Sequence, residues 1–466
     1  MTTPSMSDEL WRLGAVELAG LIGKREVTSR EVVDAHLRRI EAVNGSVNAI
    51  TVTLTEAALA AADEADAVLA AGEEVPPLHG VPFTVKENID LAGSATTLGL
   101  AAFEQAVPDR DAPHIAQLRA AGAIPLARTN LPDLGFRWHT DNALRGPTSN
   151  PWDASLSPGG SSGGEAAALA TGMSPLGMGN DYGGSVRVPA QFCGVSALRP
   201  TFGRVPFATA FPPEDFPITL QLMAVQGPMA RRIADLRVAL RHMCGDDPRD
   251  PWWTPAPLDG PPLTRRVAVW READEPEVAA GVDAAAGALA DAGYDVEEIA
   301  PPMVSEAAQL WENLVASDAR ILVAMLRPAF GADALRFIDS VFELRPDLDK
   351  MGYVEGLVAR QGVARAWSRF QAERPLILGP VSTRSPFPVG RDLEGPAAVN
   401  EIAESMRLVL TVNLLGLPAA AVPVGASGGQ PRGVQLIGPR YREDLCLDAA
   451  QALEDRFGIL TPIDPV

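Results

Sequence analysis

Cysteine, lysine and histidine are all scarce in this chain of 466 residues. The cysteines, Cys193, Cys244 and Cys446, are odd in number and far apart, without CxxC or Cys/His spacing. Neither a disulfide framework nor a structural zinc site is expected, and a reducing, cytoplasmic setting is. Basic charge is short as well: 39 Lys and Arg against 59 Asp and Glu leave a formal net charge of −20. That balance opposes the phosphate attraction on which binding to nucleic acid or an anionic membrane depends, so neither partner is expected. Long apolar runs are also missing. The longest uncharged stretch, Leu408 to Pro431, is interrupted by Gly416, Pro418, Pro423, Gly425, Gly428 and Gly429, which suits a buried helix, turn and strand better than a membrane span. The N-terminal residues lack the basic and apolar segments of a secretory leader.

What is present is the composition of a globular protein, 47% hydrophobic and 21% charged, in a chain long enough to bury a large core without staples. Lysine occurs only at Lys24, Lys86 and Lys350. Arginine keeps its proton, whereas a buried lysine can release one, so a lysine retained in an apolar segment is a candidate for proton chemistry.

Thr28 and Glu31 have the spacing of a capping box, followed by a helical stripe of Val32, Val33, Leu37 and Ile40. In HGVPFTVKENID, Val81, Phe83 and Val85 alternate with Pro82, Thr84 and Lys86, the period of a strand that ends at Lys86 with the lysine opposite the valines. A helix capped by Asp111 and stopped at Gly122 is expected next, then a strand in AIPLAR. Toward the C-terminus come a helix around AVNEIAESMRLVL, strands in AAAVPVG and GVQLIG, and a helix in YREDLCLDAAQALEDRF. This alternation predicts a mostly parallel sheet with helices on both faces. The less regular stretch from about 204 to 395 carries Pro-rich pieces that read as long surface loops on one domain.

The densest signal is SPGGSSGGEAAALATGMSPLGMGNDYGGSVRVPAQFCG, where Gly-Gly-Ser turns at Ser161 and Ser185 flank an Ala-rich helix and an apolar strand. Paired glycines let a backbone bring its N–H groups close to a ligand. One such turn commonly just connects elements, but two in this arrangement point to a site. Neither is followed by the lysine of a phosphate-binding loop. Gly159-Gly160-Ser161-Ser162-Gly163 matches a nucleophile elbow, yet the preceding residues are loop-like and the only later histidine is His242, in a helical pattern. With histidine excluded, a carboxylate, a lysine or a metal-bound hydroxide is the base for a serine nucleophile. No metal-ligand cluster is visible, and Lys86 stands in an apolar strand where burial lowers a lysine pKa.

GVPFTVKEN, PGGSSGGEAA and GNDYGGSVRVPA, in this order and spacing, resemble the three core motifs of the amidase signature family of serine hydrolases. TNLPDLGFRWHTDNALRGPTSNPWD, NLLGLPAAAVPVG and GVQLIGP extend the resemblance over nearly the whole chain. It implies a single α/β domain over residues 1–466, with a mixed sheet of about eleven strands covered by helices on both faces. The implied catalytic core covers roughly 75–200 and 396–466, with a variable substrate-shaping segment at roughly 204–395. It also implies a catalytic Lys86, a bridging Ser161 after a cis peptide, a nucleophilic Ser185, and an oxyanion hole from the N–H groups of Tyr182, Gly183, Gly184 and Ser185. Asp181 and Arg187 are candidates to brace the loop as an ion pair. The implied reaction is hydrolysis of amide carbon–nitrogen bonds, without cofactor or metal, by a monomer or homodimer. The alternatives are the amidase subunit of a tRNA-dependent amidotransferase, which carries the same motifs, and a non-catalytic binding protein on this fold. Three departures stand out: Asn180 where the family often has Thr or Ser, Glu87 where it has Asp, and Arg145 where an aromatic precedes Gly146. None is expected to touch the three catalytic positions.

RVPFATAFPPEDFPITL, with Phe207, Phe211 and Phe216 among prolines, has the composition of a stiff apolar lid. Phe136 and Trp138 lie in a segment the family places near the substrate. Rings lining a pocket favour an uncharged aryl or hydrophobic amide, with aryl carbamates (urethanes) and esters as extensions.

Overall fold

The first motif folds as its alternation requires. Pro82–Lys86 is a strand buried along its whole length, with Val81, Phe83 and Val85 packed into one cluster and Thr84 and Lys86 on the opposite face. The computed structural model describes residues 9–210 and 215–466, and eleven strands within them form one sheet. In chain order they are β1 (Ile50–Thr53), β2 (Pro82–Lys86), β3 (Ile124–Thr129), β4 (Leu176–Asp181), β5 (Ser196–Arg199) and β6 (Val225–Ala230). The remainder are β7 (Arg266–Val269), β8 (Asp295–Glu298), β9 (Leu376–Pro380), β10 (Ala419–Ser427) and β11 (Gln430–Ile437). Their order across the sheet is β1-β3-β2-β4-β6-β5-β10-β11-β9-β7-β8.

Helices cover both faces. Helices Gly163–Ala170, Arg187–Cys193, Val304–Leu326 and Arg407–Leu415 contribute to one buried cluster. Helices Ala15–Gly23, Pro113–Ala120, Ile233–Met243, Pro276–Asp291 and Glu443–Phe457 build the other, on the side of Phe83 and Val85. β2 and β4 lie side by side in the middle of this double packing. A charged group at the end of either strand is therefore far from bulk water, and burial at that position governs its protonation.

The mixed, eleven-stranded sheet agrees with the family resemblance and overturns the mostly parallel reading. Four of the ten strand pairings among the described residues are parallel, β2–β3, β2–β4, β7–β8 and β7–β9, and the other six are antiparallel. Alternation of helix and strand along a chain says nothing about direction when a strand pairs with one distant in sequence. β4 against β6 and β9 against β11 are such cases. β10 and β11 form a hairpin turned at Gly428 and Gly429, both at positive φ.

Other elements also differ from expectation. Asp111 does not cap the helix Pro113–Ala120, whose N-cap is Ala112; its carboxylate accepts the Ala92 N–H at 2.8 Å instead. The helix around AVNEIAESMRLVL is two helices, Pro396–Ser405 and Arg407–Leu415, broken at Met406. The Ser405 carbonyl there takes the N–H of Thr383, and the Met406 side chain turns into the core. The segment 204–395 supplies β6 to β9 and two long helices, Val304–Leu326 and Lys350–Glu373, while its Pro-rich pieces are loops wherever their residues are described. Thr28 and Glu31 form the capping box. Leu408 to Pro431 divides into the end of a buried helix, a turn and β10, and no helix among the described residues is long and apolar enough to cross a membrane.

Candidate active site

Lys86 closes β2 and is fully buried. Its Nζ lies 2.7 Å from Ser161 Oγ and 2.7 Å from Asn180 Oδ1, near the end of β4. Burial pushes its pKa down from 10.5 to about 7, against the pull of Asp181 and Glu165. The neutral amine, with a lone pair able to take a proton, is thus accessible near neutral pH. Asn180 donates through Nδ2 to Asn88 Oδ1 at 2.9 Å, which turns its carbonyl oxygen toward the lysine. An amine hydrogen donated to Asn180 leaves the lone pair free for Ser161.

Ser161 follows a cis peptide after Gly160. A Cβ at Gly160 would lie 2.5 to 2.9 Å from backbone atoms of Arg137, Trp138 and His139, so only glycine lets that loop lie directly on the serine turn. The loop is pinned by Arg137, whose guanidinium donates to buried Asp392 at 2.8 and 3.2 Å. Ser162 N–H donates to the Ser185 carbonyl at 3.1 Å, tying the two Gly-Gly-Ser turns together. The Ser185 hydroxyl makes no hydrogen bond among the described residues, and the residue is 7% exposed.

The Ser185 turn is braced by Asp181 in an ion pair with Arg187, the two residues expected to brace it. Arg187 donates to both carboxylate oxygens, at 3.0 and 3.1 Å, and Asn413 donates to Asp181 Oδ1 at 2.7 Å. Burial opposes ionisation of Asp181, yet Arg187 and Arg199 hold its carboxyl well below the usual carboxylate range. Arg187 itself reaches Gln435 on β11 and Asn413, so two distant segments converge on the turn. Gly184 N–H donates to Asp181 Oδ1 at 2.9 Å. Of the four N–H groups assigned to the oxyanion hole, that of Gly184 is therefore already engaged. Those of Gly183 and Ser185 meet no acceptor among the described residues.

Glu165 lies within PGGSSGGEAA, and its role depends on residues far from it in sequence. Its buried carboxylate accepts from Thr129 at 2.7 Å and from Thr84. Burial raises its pKa to about 7, against those hydrogen bonds and the attraction of Lys86 and Arg128. One buried acid and one buried base with facing shifts thus share the space beneath the serine turns. Asn88, Asn180, Asn413 and Gln435 were equally unassigned as partners, because each acts across segments that no local pattern connects.

The three family departures resolve differently. Glu87 and Arg145 pair with one another at 2.8 Å, so the two exchanges compensate as a salt bridge. Asn180 does touch Lys86, one of the three positions that the family resemblance makes catalytic, contrary to expectation. Among the ring residues, Phe136 packs edge-on against Phe330 at 5.9 Å and Trp138 against Phe337 at 6.1 Å. Phe207 and Phe216 stack at 4.9 Å, and Phe211 lies outside the described residues. Asp90 holds the chain at Thr209 and Ala210, accepting from Thr209 Oγ1 and the Ala210 N–H at 2.9 and 2.6 Å.

The family model described as Amidase matches residues 31–447. The chain belongs to the amidase family. This amidase is 40% identical over 463 residues to an indoleacetamide hydrolase of Bradyrhizobium diazoefficiens, covering 97% of this chain and 88% of that one. It is 34% identical over 472 residues to a glutamyl-tRNA(Gln) amidotransferase subunit from Synechococcus sp. (strain WH7803), covering 93% and 95% of the two chains. Among solved structures, a bacterial aryl acylamidase of the amidase signature family superposes with a TM-score of 0.84 at 25% identity, over 95% of this chain and 96% of that one. The activity of the amidase is hydrolysis of carbon–nitrogen bonds in amides.

Proposed function

We propose that this amidase hydrolyses uncharged aryl or otherwise hydrophobic amides, with Ser185 as nucleophile, Ser161 as proton bridge and Lys86 as base. The observation that carries the reading is the buried Lys86 amine 2.7 Å from Ser161 Oγ, poised near neutrality by burial. Neutral Lys86 takes the Ser161 proton as Ser161 takes that of Ser185. The Ser185 oxygen attacks the amide carbonyl, and the oxyanion forms against the Gly183 and Ser185 N–H groups. Such donors are each worth about 3 kcal/mol in the transition state. The proton on Lys86 returns through Ser161 to the leaving nitrogen as the C–N bond breaks, leaving an acyl ester on Ser185. Water, deprotonated by the same pair, then releases the acid and restores the serine.

This mechanism requires Lys86 to be neutral in the free enzyme. kcat/KM is therefore expected to climb with pH through about 7 and level off above it. A profile flat from pH 5 to 9, measured on a substrate that does not itself titrate, would exclude Lys86 as the base.

The substrate class is supported by the indoleacetamide hydrolase relative and by the Trp138 ring, whose indole N–H reaches the Gly183 carbonyl of the Ser185 turn. Carbamates and esters present the same carbonyl to Ser185 and are proposed as secondary substrates. The amidotransferase relative supports a second reading, in which the chain releases ammonia from glutamine inside a complex. Assay of the purified chain without ATP or tRNA decides between them. An acyl anilide is expected to exceed glutamine in kcat/KM by at least about 100-fold, the discrimination that a few apolar contacts supply, with an aryl carbamate in between. A preference for glutamine would replace the first reading by the second.

A further inference from the structure

We propose that Trp311 sets the direction of the oxyanion-binding Gly183 N–H, while Trp138 steadies the next peptide of the same turn, and that Trp311 is a positioning residue for amide hydrolysis. The inference rests on the reading of Ser185 as nucleophile. Both tryptophans lie outside the three motifs, and Trp311 belongs to helix Val304–Leu326 of the segment expected only to shape the substrate pocket.

Two indoles fix two successive peptide planes of the turn. Trp311 Nε1–H donates to the Tyr182 carbonyl at 3.1 Å, and Trp138 Nε1–H to the Gly183 carbonyl at 2.9 Å. The cis peptides among the described residues are Gly160–Ser161 and Thr461–Pro462, so the units 182–183 and 183–184 are trans. In a trans unit the C=O and the next N–H point in opposite directions. Holding the Tyr182 carbonyl toward Trp311 therefore aims the Gly183 N–H away from it, and that N–H has no acceptor among the described residues. Holding the Gly183 carbonyl toward Trp138 aims the Gly184 N–H away from Trp138, where Asp181 accepts it at 2.9 Å. One indole thus orients a free donor, and the other orients a donor committed to bracing the turn.

The contact of Trp311 with the turn is close and doubly anchored. A Cβ at Gly183 would lie 2.9 Å from Cζ2 and Cη2 of the Trp311 ring, so the glycine is needed for the indole to reach the carbonyl. Asp318, seven residues on and so on the same helix face, accepts from Thr219 Oγ1 at 2.6 Å. Thr219 Oγ1 in turn lies 2.5 Å from the Tyr182 hydroxyl. Helix Val304–Leu326 therefore holds Tyr182 at both its carbonyl and its phenol. Preorganisation of this kind acts on the oxyanion, which exists only after attack, and not on the bound amide.

The test is Trp311→Phe, which keeps a ring and deletes the N–H. kcat is expected to fall about 30-fold with KM changed less than about 2-fold, below the loss seen when a donor is removed outright. Affinity for a trifluoromethyl ketone, which forms a tetrahedral oxyanion on a serine, is expected to fall by the same factor as kcat/KM. Affinity for the carboxylic acid product is expected to stay constant. An unchanged kcat, or a loss of product affinity as large as that of the ketone, would overturn the proposal, because general damage to the pocket predicts the latter. Should Trp311→Phe not fold, benzothienylalanine at position 311 preserves the ring volume without the N–H and gives the same readouts. The wild-type enzyme separates the two levels. If its ketone adduct is not on Ser185, the nucleophile reading fails; if it is, and the position-311 variants lose nothing, only the present proposal fails.

Discussion

Ser185→Ala is expected to lower kcat by on the order of 10⁴- to 10⁶-fold while moving Tm by no more than a few degrees. The size of the loss follows from the role: without the hydroxyl no acyl ester forms, and only binding and the oxyanion donors remain. The intact fold follows from the contacts. The Ser185 hydroxyl is bonded to nothing among the described residues, so its removal leaves no buried group unpaired. The tie to the other turn runs through the Ser185 carbonyl and survives the change. Measured turnover and thermal unfolding together check the prediction, and residual activity above a hundredth of wild type would contradict it.

Lys86→Arg is expected to be nearly as damaging as Lys86→Ala, each lowering kcat/KM on the order of 10³-fold. A guanidinium keeps its proton at any usable pH, so it cannot receive the proton of Ser161. Charge alone would be conserved by the exchange, and so would much of the attraction to Asp181 and Glu165. Lys86 is fully buried, so circular dichroism and Tm must accompany the rates to separate lost chemistry from lost folding. A Lys86→Arg enzyme with a near-normal rate would mean that the lysine contributes only positive charge.

The candidate site is legible in the sequence where it is local. Lys86, Ser161 and Ser185 each sit in a short motif with its own turn or strand pattern, and the structure brings the Lys86 amine to Ser161 and ties the Ser161 and Ser185 turns. The Asp181–Arg187 pair lies within one of these motifs, six residues apart, and is formed as expected. What failed was long-range. Strand direction depends on which distant segment arrives as a neighbour, so β4 beside β6 escaped the alternation argument. The Gly428–Gly429 turn between two apolar strands was a hairpin signal in plain view. The Glu87–Arg145 bridge spans 58 residues, and only its two ends, each an exception to the family pattern, hinted at a connection. Trp311 carries no local mark at all, because its role depends on a carbonyl 129 residues earlier.

The fold explains why buried charge is tolerated at this site. Asp181 is matched by Arg187 and Asn413, and Glu165 by two threonine hydroxyls, so each carboxylate has partners in place of water. Among the described residues, the Lys86 amine hydrogen-bonds only to a serine hydroxyl and an amide oxygen. Neutral partners leave its proton weakly held, which is the condition for a lysine to serve as a base.

The mechanism proposed for this amidase stands on Ser185 as the nucleophile. The most direct measurement is mass-spectrometric mapping of the protein after reaction with a serine-directed sulfonyl fluoride under conditions that abolish activity. One adduct per chain, on Ser185, absent from Ser185→Ala and slowed in Lys86→Ala, is the predicted result; inactivation with the adduct on any other residue would contradict the account.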